Sequence, residues 1–192
     1  MTSLKQKQLS VLITLALLRE SGAVRWVPPL EMGRDMLAAM TVPAGMQTEL
    51  FAYGRLPLAY SARCFTARHH NLQKDDCQFR CLDHPDGLPL ATREGEAFLV
   101  INGIQTQSAR VMSLAHRFPE LTRLRIEALR LSPQARHMDR VVGIFDALRR
   151  EALAPAEAGA KLARLMPDQP CDGYWIGEAG MAYHPDPLES PR

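Results

Sequence analysis

Residues 46–54, MQTELFAYG, form a run of large side chains that reads as a β-strand. Pro43 and Gly45 stand just before it and end the apolar spacing of EMGRDMLAAMT (31–41), which predicts a short helix. The same alternation lies upstream. The run from Leu9 to Leu18 predicts a helix closed by Gly22, and AVRWVPPL after it predicts a strand at 23–28. Lys5 and Lys7 ahead of an apolar run imitate a signal peptide, but no small-residue cleavage site follows. Ten residues are also too few for a bilayer, which takes about 20.

Downstream, LPLATREGEAFLVINGI (88–104) gives an extended stretch, a REGE turn and a strand at 97–102 that ends at the Asn102-Gly103 turn. A helix is expected from Gln107 to His116, and a strand at 125–131 closed by Pro133. HMDRVVGIFDALRREAL (137–153) has Val141, Ile144, Phe145 and Leu148 on one side and predicts an amphipathic helix. Pro155 opens a second helix, AEAGAKLARLM. Strands at 23–28, 46–53, 97–102 and 125–131, alternating with helices, predict an α/β fold of parallel strands with right-handed crossovers. That pattern fits either an open doubly wound sheet or a (β/α)₈ barrel; a full barrel takes about 250 residues, so about four βα units would be half of one.

Composition sets the outer limits. Of 192 residues, 46% are apolar and 23% charged, an ordinary globular balance. A net charge of +2 does not by itself point to nucleic acid. Four cysteines without an even, dispersed pattern favour a reducing, cytoplasmic compartment over a secreted disulfide framework.

Three of those cysteines share 18 residues, CFTARHHNLQKDDCQFRC (64–81), with twelve residues between Cys64 and Cys77 and three between Cys77 and Cys81. Three thiols cannot all pair with one another, and soft sulfur ligands select iron–sulfur clusters, zinc or copper(I). The i, i+4 spacing of Cys77 and Cys81 would bring both sulfurs to one face of a helical turn. Structural thiols are the competing reading, but the charged and polar neighbours leave little apolar surface for them to join. Zinc would use Cys64, Cys77, Cys81 and His84. A cluster would want a fourth cysteine, and Cys171 lies ninety residues beyond Cys81.

Other polar residues are weaker. Glu49 on its strand, and Asn102 and Gln105 past another, would face the C-terminal end of a barrel, where active sites are built. Glu49 reads equally as a buried carboxylate paired with Arg55 or Arg63. His69 and His70 are expected to be loop residues around the thiols rather than ligands. Tyr174 and Trp175 are expected to anchor the tail by packing.

The run ELFAYGRLPLAYSARCF resembles the signature of the collagenase-like peptidase family, family thirty-two of the U class, through Glu49, Phe51, Gly54, Ser61, Arg63 and Cys64. ARHHNLQKDDCQFRCLDHPDGLPLATREGEAFLVINGIQTQSA, LRLSPQ and DGYWIGEAGM are similar to its UbiV branch, the oxygen-independent ubiquinone biosynthesis proteins. That resemblance implies that 1–192 is a partial TIM-barrel-like α/β domain of about four βα units with a short C-terminal extension, with a 4Fe-4S cluster on Cys64, Cys77 and Cys81, a fourth ligand from an N-terminal half with no counterpart here, and a UbiU-like heterodimer partner. The implied activity is anaerobic hydroxylation of the ubiquinone precursor ring, with RNA-base hydroxylation or peptidase activity as alternatives within the family, and a non-enzymatic zinc module outside it. A peptidase needs a nucleophile or catalytic metal, and no motif here supplies either. The resemblance also begins in the middle of a family member, so the chain is expected to be a C-terminal fragment, a truncated product or the product of a mis-called start. Such a half-barrel is expected to depend on a partner chain to cover its open strand edges.

Overall fold

A computed structural model of the chain describes residues 3–185, with the side chains of residues 3–10 and of Lys74 left aside. Its first element is helix α1 (Ser3–Glu20). Gly22 takes φ +94°, a left-handed conformation open to glycine, and lets the Ala23 N–H donate back to Leu18 O at 2.9 Å, which ends the helix as its sequence predicts. Strand β1 (Arg25–Trp26) and the short helix α2 (Arg34–Ala38) follow.

β2 (Gln47–Tyr60) is the longest strand and the centre of the sheet, running seven residues past its expected end. Leu50 through Tyr53, together with Leu56, are buried in the core. Side chains from both of its faces are therefore covered, as in the interior strand of a sheet with helices on it. After β2 come α3 (Phe65–His69), β3 (Leu88–Ala91), β4 (Ala97–Asn102) and β5 (Gln105–Ser113). The chain ends its described part with α4 (Phe118–Arg123), β6 (Ala128–Leu131), α5 (Met138–Arg149), α6 (Pro155–Ala163), β7 (Pro170–Cys171) and α7 (Gly173–Ile176).

The seven strands form one mixed sheet in the order β1-β2-β5-β4-β3, with β6 paired to β2 and β7 to β5. β1 and β6 run parallel to β2, and β7 runs parallel to β5. The α/β class and all four expected strands are present. The all-parallel pairing is not. The pairs β2·β5, β5·β4 and β4·β3 are antiparallel, so strand 97–102 belongs to a hairpin and not to a βα unit.

The expected helix at 107–116 is also overturned, because β5 occupies 105–113 and only a 3₁₀ turn, Ala115–Arg117, follows. The cause is the Asn102-Gly103 turn. Gly103 takes φ +62°, Asn102 pairs directly with Gln105, and the chain folds back at once onto β4.

The core gathers Leu15, Tyr53, Leu114, Val141, Leu162 and Trp175, and so packs α1, α5, α6 and α7 on the sheet. The Tyr53 and Phe145 rings meet edge to face at 6.0 Å. Gly54 takes φ +118°, and a Cβ there would lie 2.5 Å from Ser132 Cβ. The glycine of the family-like motif is thus the point where β2 comes hard against the chain leaving β6. Among the described residues, no helix is long and apolar enough to cross a membrane.

Candidate functional site

The cysteine segment hangs from the end of the central strand and is fastened to the β4–β5 turn. Ser61 N–H donates to Ile104 O at 2.8 Å, Phe65 N–H to Gly103 O at 2.9 Å, and Gly103 N–H to the Thr66 hydroxyl at 3.2 Å. These bonds dock α3, whose Thr66 and Ala67 are buried. Cys64 is the cap of that helix, its Sγ accepting from Ala67 N–H at 3.5 Å.

Cys77 and Cys81 are not on one helical turn. A 3₁₀ turn, Lys74–Asp76, ends at Cys77; Gln78 and Phe79 then take φ +52° and +51°; and a second 3₁₀ turn, Arg80–Asp83, carries Cys81. Two consecutive left-handed residues cannot continue a right-handed helix. α3 packs on the 80–83 turn, so the segments carrying Cys64 and Cys81 touch.

Cys64, Cys77 and Cys81 are free and half-buried. Cys171 is different, being free but fully buried in the core at the β5·β7 pairing. Burial, then the charge of Asp172, pushes its thiol up to about 12. Burial thus disfavours the thiolate, the form in which sulfur binds a metal.

His70 and His84 bring their Nε2 atoms to 3.2 Å with rings stacked, and the His69 ring stands 5.1 Å from that of His70. His84 thus turns its Nε2 to His70, and its backbone N–H is bonded to Cys81 O at 3.1 Å. Among the described residues, no three His, Cys, Asp or Glu side chains converge on a position for a metal ion. The donor chemistry still suits a thiolate-bound cluster: three unbridged, half-buried thiols on one folded segment, with a buried fourth set apart.

Glu49 pairs with neither Arg55 nor Arg63. Its carboxylate is held by Arg130 Nε at 2.7 Å and Arg25 Nη1 at 3.0 Å, one from each parallel neighbour of β2. The Arg130 hydrogen bond leads in holding its carboxyl below the usual range. This is a cross-strand tie, and it joins β1, β2 and β6. Gln105 is tied as well, donating to Tyr60 OH at 2.7 Å at the far end of the hairpin.

Asn102 has the more interesting place. It lines a small recess together with Arg55, Asp86, Gln107, Ser132 and Gln134. Arg55 is engaged by the carbonyls of Ser108 and Ala109, lies 3.8 Å from Asp168, and has a buried Nε without a partner. Gln134 accepts from Tyr53 OH at 2.6 Å. The sequence does not connect Arg55, Asp86 and Gln134, because they lie on three separate stretches that only tertiary packing brings to one recess.

The Peptidase family U32 model matches residues 5–170, a span that takes in the central strand, the three clustered cysteines and Asn102. No solved structure matches the chain. The chain belongs to Peptidase family U32.

Proposed function

We propose that the chain is an iron–sulfur protein of oxygen-independent ubiquinone biosynthesis, of the UbiV kind, acting with a UbiU-like partner in hydroxylation of the ubiquinone precursor ring. In this reading Cys64, Cys77 and Cys81 hold a 4Fe-4S cluster, and the α/β sheet is part of a TIM-barrel-like domain. The observation that carries it is the separation of the thiols: three free and half-buried on one segment, and Cys171 sealed in the core.

When bound, the group would supply electron transfer or an open site for substrate or hydroxyl donor, without molecular oxygen. The chain's own contribution is to hold the thiol segment. α3 is pinned to the 102–105 turn by the bonds of Phe65, Thr66 and Gly103, which fixes the backbone of Cys64 against the sheet.

Anaerobic purification followed by metal and sulfide analysis tests this. A brown protein containing iron and sulfide is expected. A colourless protein containing zinc would replace this reading with the Cys64, Cys77, Cys81 and His84 zinc module. In cells lacking the native protein, restoration of ubiquinone synthesis is expected without oxygen and not with it, and equal rescue under both conditions would argue for another function.

A further inference from the structure

An open groove of about 580 Å³ runs between the segment that follows Cys81 and the chain that leaves β6. That volume is in the range of small-molecule sites, and its floor at Gln134–His137 lies just beyond the carboxyl end of a parallel strand, where ligands of open α/β sheets bind. Its lining combines the polar His84, Arg136, His137 and Arg164 with the apolar Pro85, Leu165, Met166 and Pro167.

Two carboxylates also border the groove, and both are engaged. Asp83 pairs with Arg80 at 3.1 Å, and Asp86 accepts from Ala135 N–H at 2.8 Å. Arg136 and Arg164 are exposed and form no ion pair among the described residues. The Ala135 amide leaves the charge of Asp86 in place, and the groove still presents two guanidiniums outside any ion pair, planar donors matched to carboxylate and phosphate.

The backbone that carries them is tied to the core from beneath. The Gln134 side-chain amide donates to Arg136 O at 2.6 Å and to Leu165 O at 2.8 Å while its oxygen accepts from the buried Tyr53 hydroxyl. One residue thus ties both arginine-bearing segments to the core, and such preorganisation lowers the ordering cost of binding.

We propose that this groove binds a small organic anion, its carboxylate or phosphate held by Arg136 and Arg164 and its apolar body lying on Pro85, Leu165, Met166 and Pro167. The site borders the thiol segment through Asp83 and His84 but takes no thiol, and it does not rest on the iron–sulfur reading.

The test is an amide-resolved NMR titration of the full chain with benzoate, phenyl phosphate and the neutral isostere benzamide. Benzoate or phenyl phosphate is expected to give saturable shifts at Asp86, Gly87, Ala135, Arg136, Leu165 and Met166, with benzamide at least tenfold weaker. The tighter of the two anions assigns the head group as carboxylate or phosphate. Arg136→Gln with Arg164→Gln should weaken binding tenfold or more at an unchanged melting temperature, and Arg136→Lys with Arg164→Lys should retain part of it. If the double glutamine variant fails to fold, each single variant is read in the same way. Equal binding of benzamide, shifts elsewhere on the molecule, no saturable shift with either anion, or unchanged binding in the glutamine variants would each overturn the proposal.

Discussion

Arg117 and Asp172, fifty-five residues apart, form an ion pair with no solvent exposure on either side chain, Nη2 to Oδ2 at 3.0 Å. His116 Nε2 meets the same oxygen at 3.0 Å, and the other carboxylate oxygen accepts from His184 N–H at 3.0 Å. Burial alone would raise the Asp172 carboxyl, but the bonds from His116, His184 and Arg117 outweigh it and hold the group below its ordinary value. Removing the carboxylate takes from the buried Arg117 guanidinium its 3.0 Å partner and leaves it the longer Glu120 pair at 3.6 Å. Asp172→Ala is expected to cost on the order of 3–5 kcal/mol in urea unfolding at neutral pH. Because the folded value is depressed, this stability is present above the unfolded value of about 4 and is lost as pH falls through the folded one. The variant should therefore show a flatter acid limb than the parent, and identical limbs would remove Asp172 from the acid response.

The four cysteines should separate by reactivity. Alkylation follows the thiolate and its access, and the Cys171 thiol is buried and pushed up to about 12. In the metal-free native protein, iodoacetamide is expected to modify Cys64, Cys77 and Cys81 and to reach Cys171 only after denaturation. Mass spectrometry of the digest reads this directly. Early modification of Cys171 would mean that β7 opens readily from β5.

Much of the fold is legible in the sequence, and the exceptions have physical causes. α5 and α6 follow from 3.6-residue periodicity bounded by Pro155, and β2 follows from its large side chains. β5 hides because it buries Gln107, Ser108 and Ser113 along with Ala109, Val111 and Met112. A strand covered on both faces loses its period-2 pattern, and Ser108 is accommodated inside by accepting from Leu56 N–H and donating to Arg110 O. The thiol segment is legible as a set from spacing, but its backbone is not, since Gln78 and Phe79 in left-handed conformations are rare for such residues. The Arg117–Asp172 network and the groove arginines join distant stretches through tertiary packing, and local patterns carry no trace of that.

Gly54 should tolerate no side chain. Its φ is +118°, and any Cβ there would fall 2.5 Å from Ser132 Cβ and 3.0 Å from Ser132 O, so Gly54→Ala meets both backbone strain and a clash. Strain alone amounts to about 1–3 kcal/mol. Denaturant midpoints should fall accordingly, and adding Ser132→Gly, which removes the nearest atom, should recover part of the loss. An alanine variant as stable as the parent would show that β2 and the chain after β6 can move apart at this point.

Glu49 joins β1 to β6 across β2 through partners that are about half exposed, Arg25 and Arg130. Exposed or half-exposed pairs contribute little, so Glu49→Gln should cost no more than about 1 kcal/mol and lose that difference in high salt. If the thiols hold a cluster, the variant should take up as much iron on reconstitution as the parent, because the tie lies at the opposite end of β2 from Cys64. Loss of iron in this variant would give Glu49 a role at the thiol site that its two arginine bonds do not explain.

The thiol set carries the sharpest expectation. If Cys64, Cys77 and Cys81 hold one cluster, the three are a unit, and removing any one sulfur leaves the rest unable to retain it. Cys77→Ala is the informative case, since Cys77 sits between the two 3₁₀ turns, away from the cap position that Cys64 holds on α3. Iron per chain after anaerobic reconstitution should fall in Cys77→Ala about as far as in the triple variant, with the melting temperature of the metal-free protein unchanged. Cys171→Ala should do the reverse, lowering stability through a small cavity in the core while leaving iron content nearly intact. Full iron retention in Cys77→Ala would dissolve the set. Loss of iron in Cys171→Ala at unchanged stability would instead require β7 to leave the sheet and bring its thiol to the cluster.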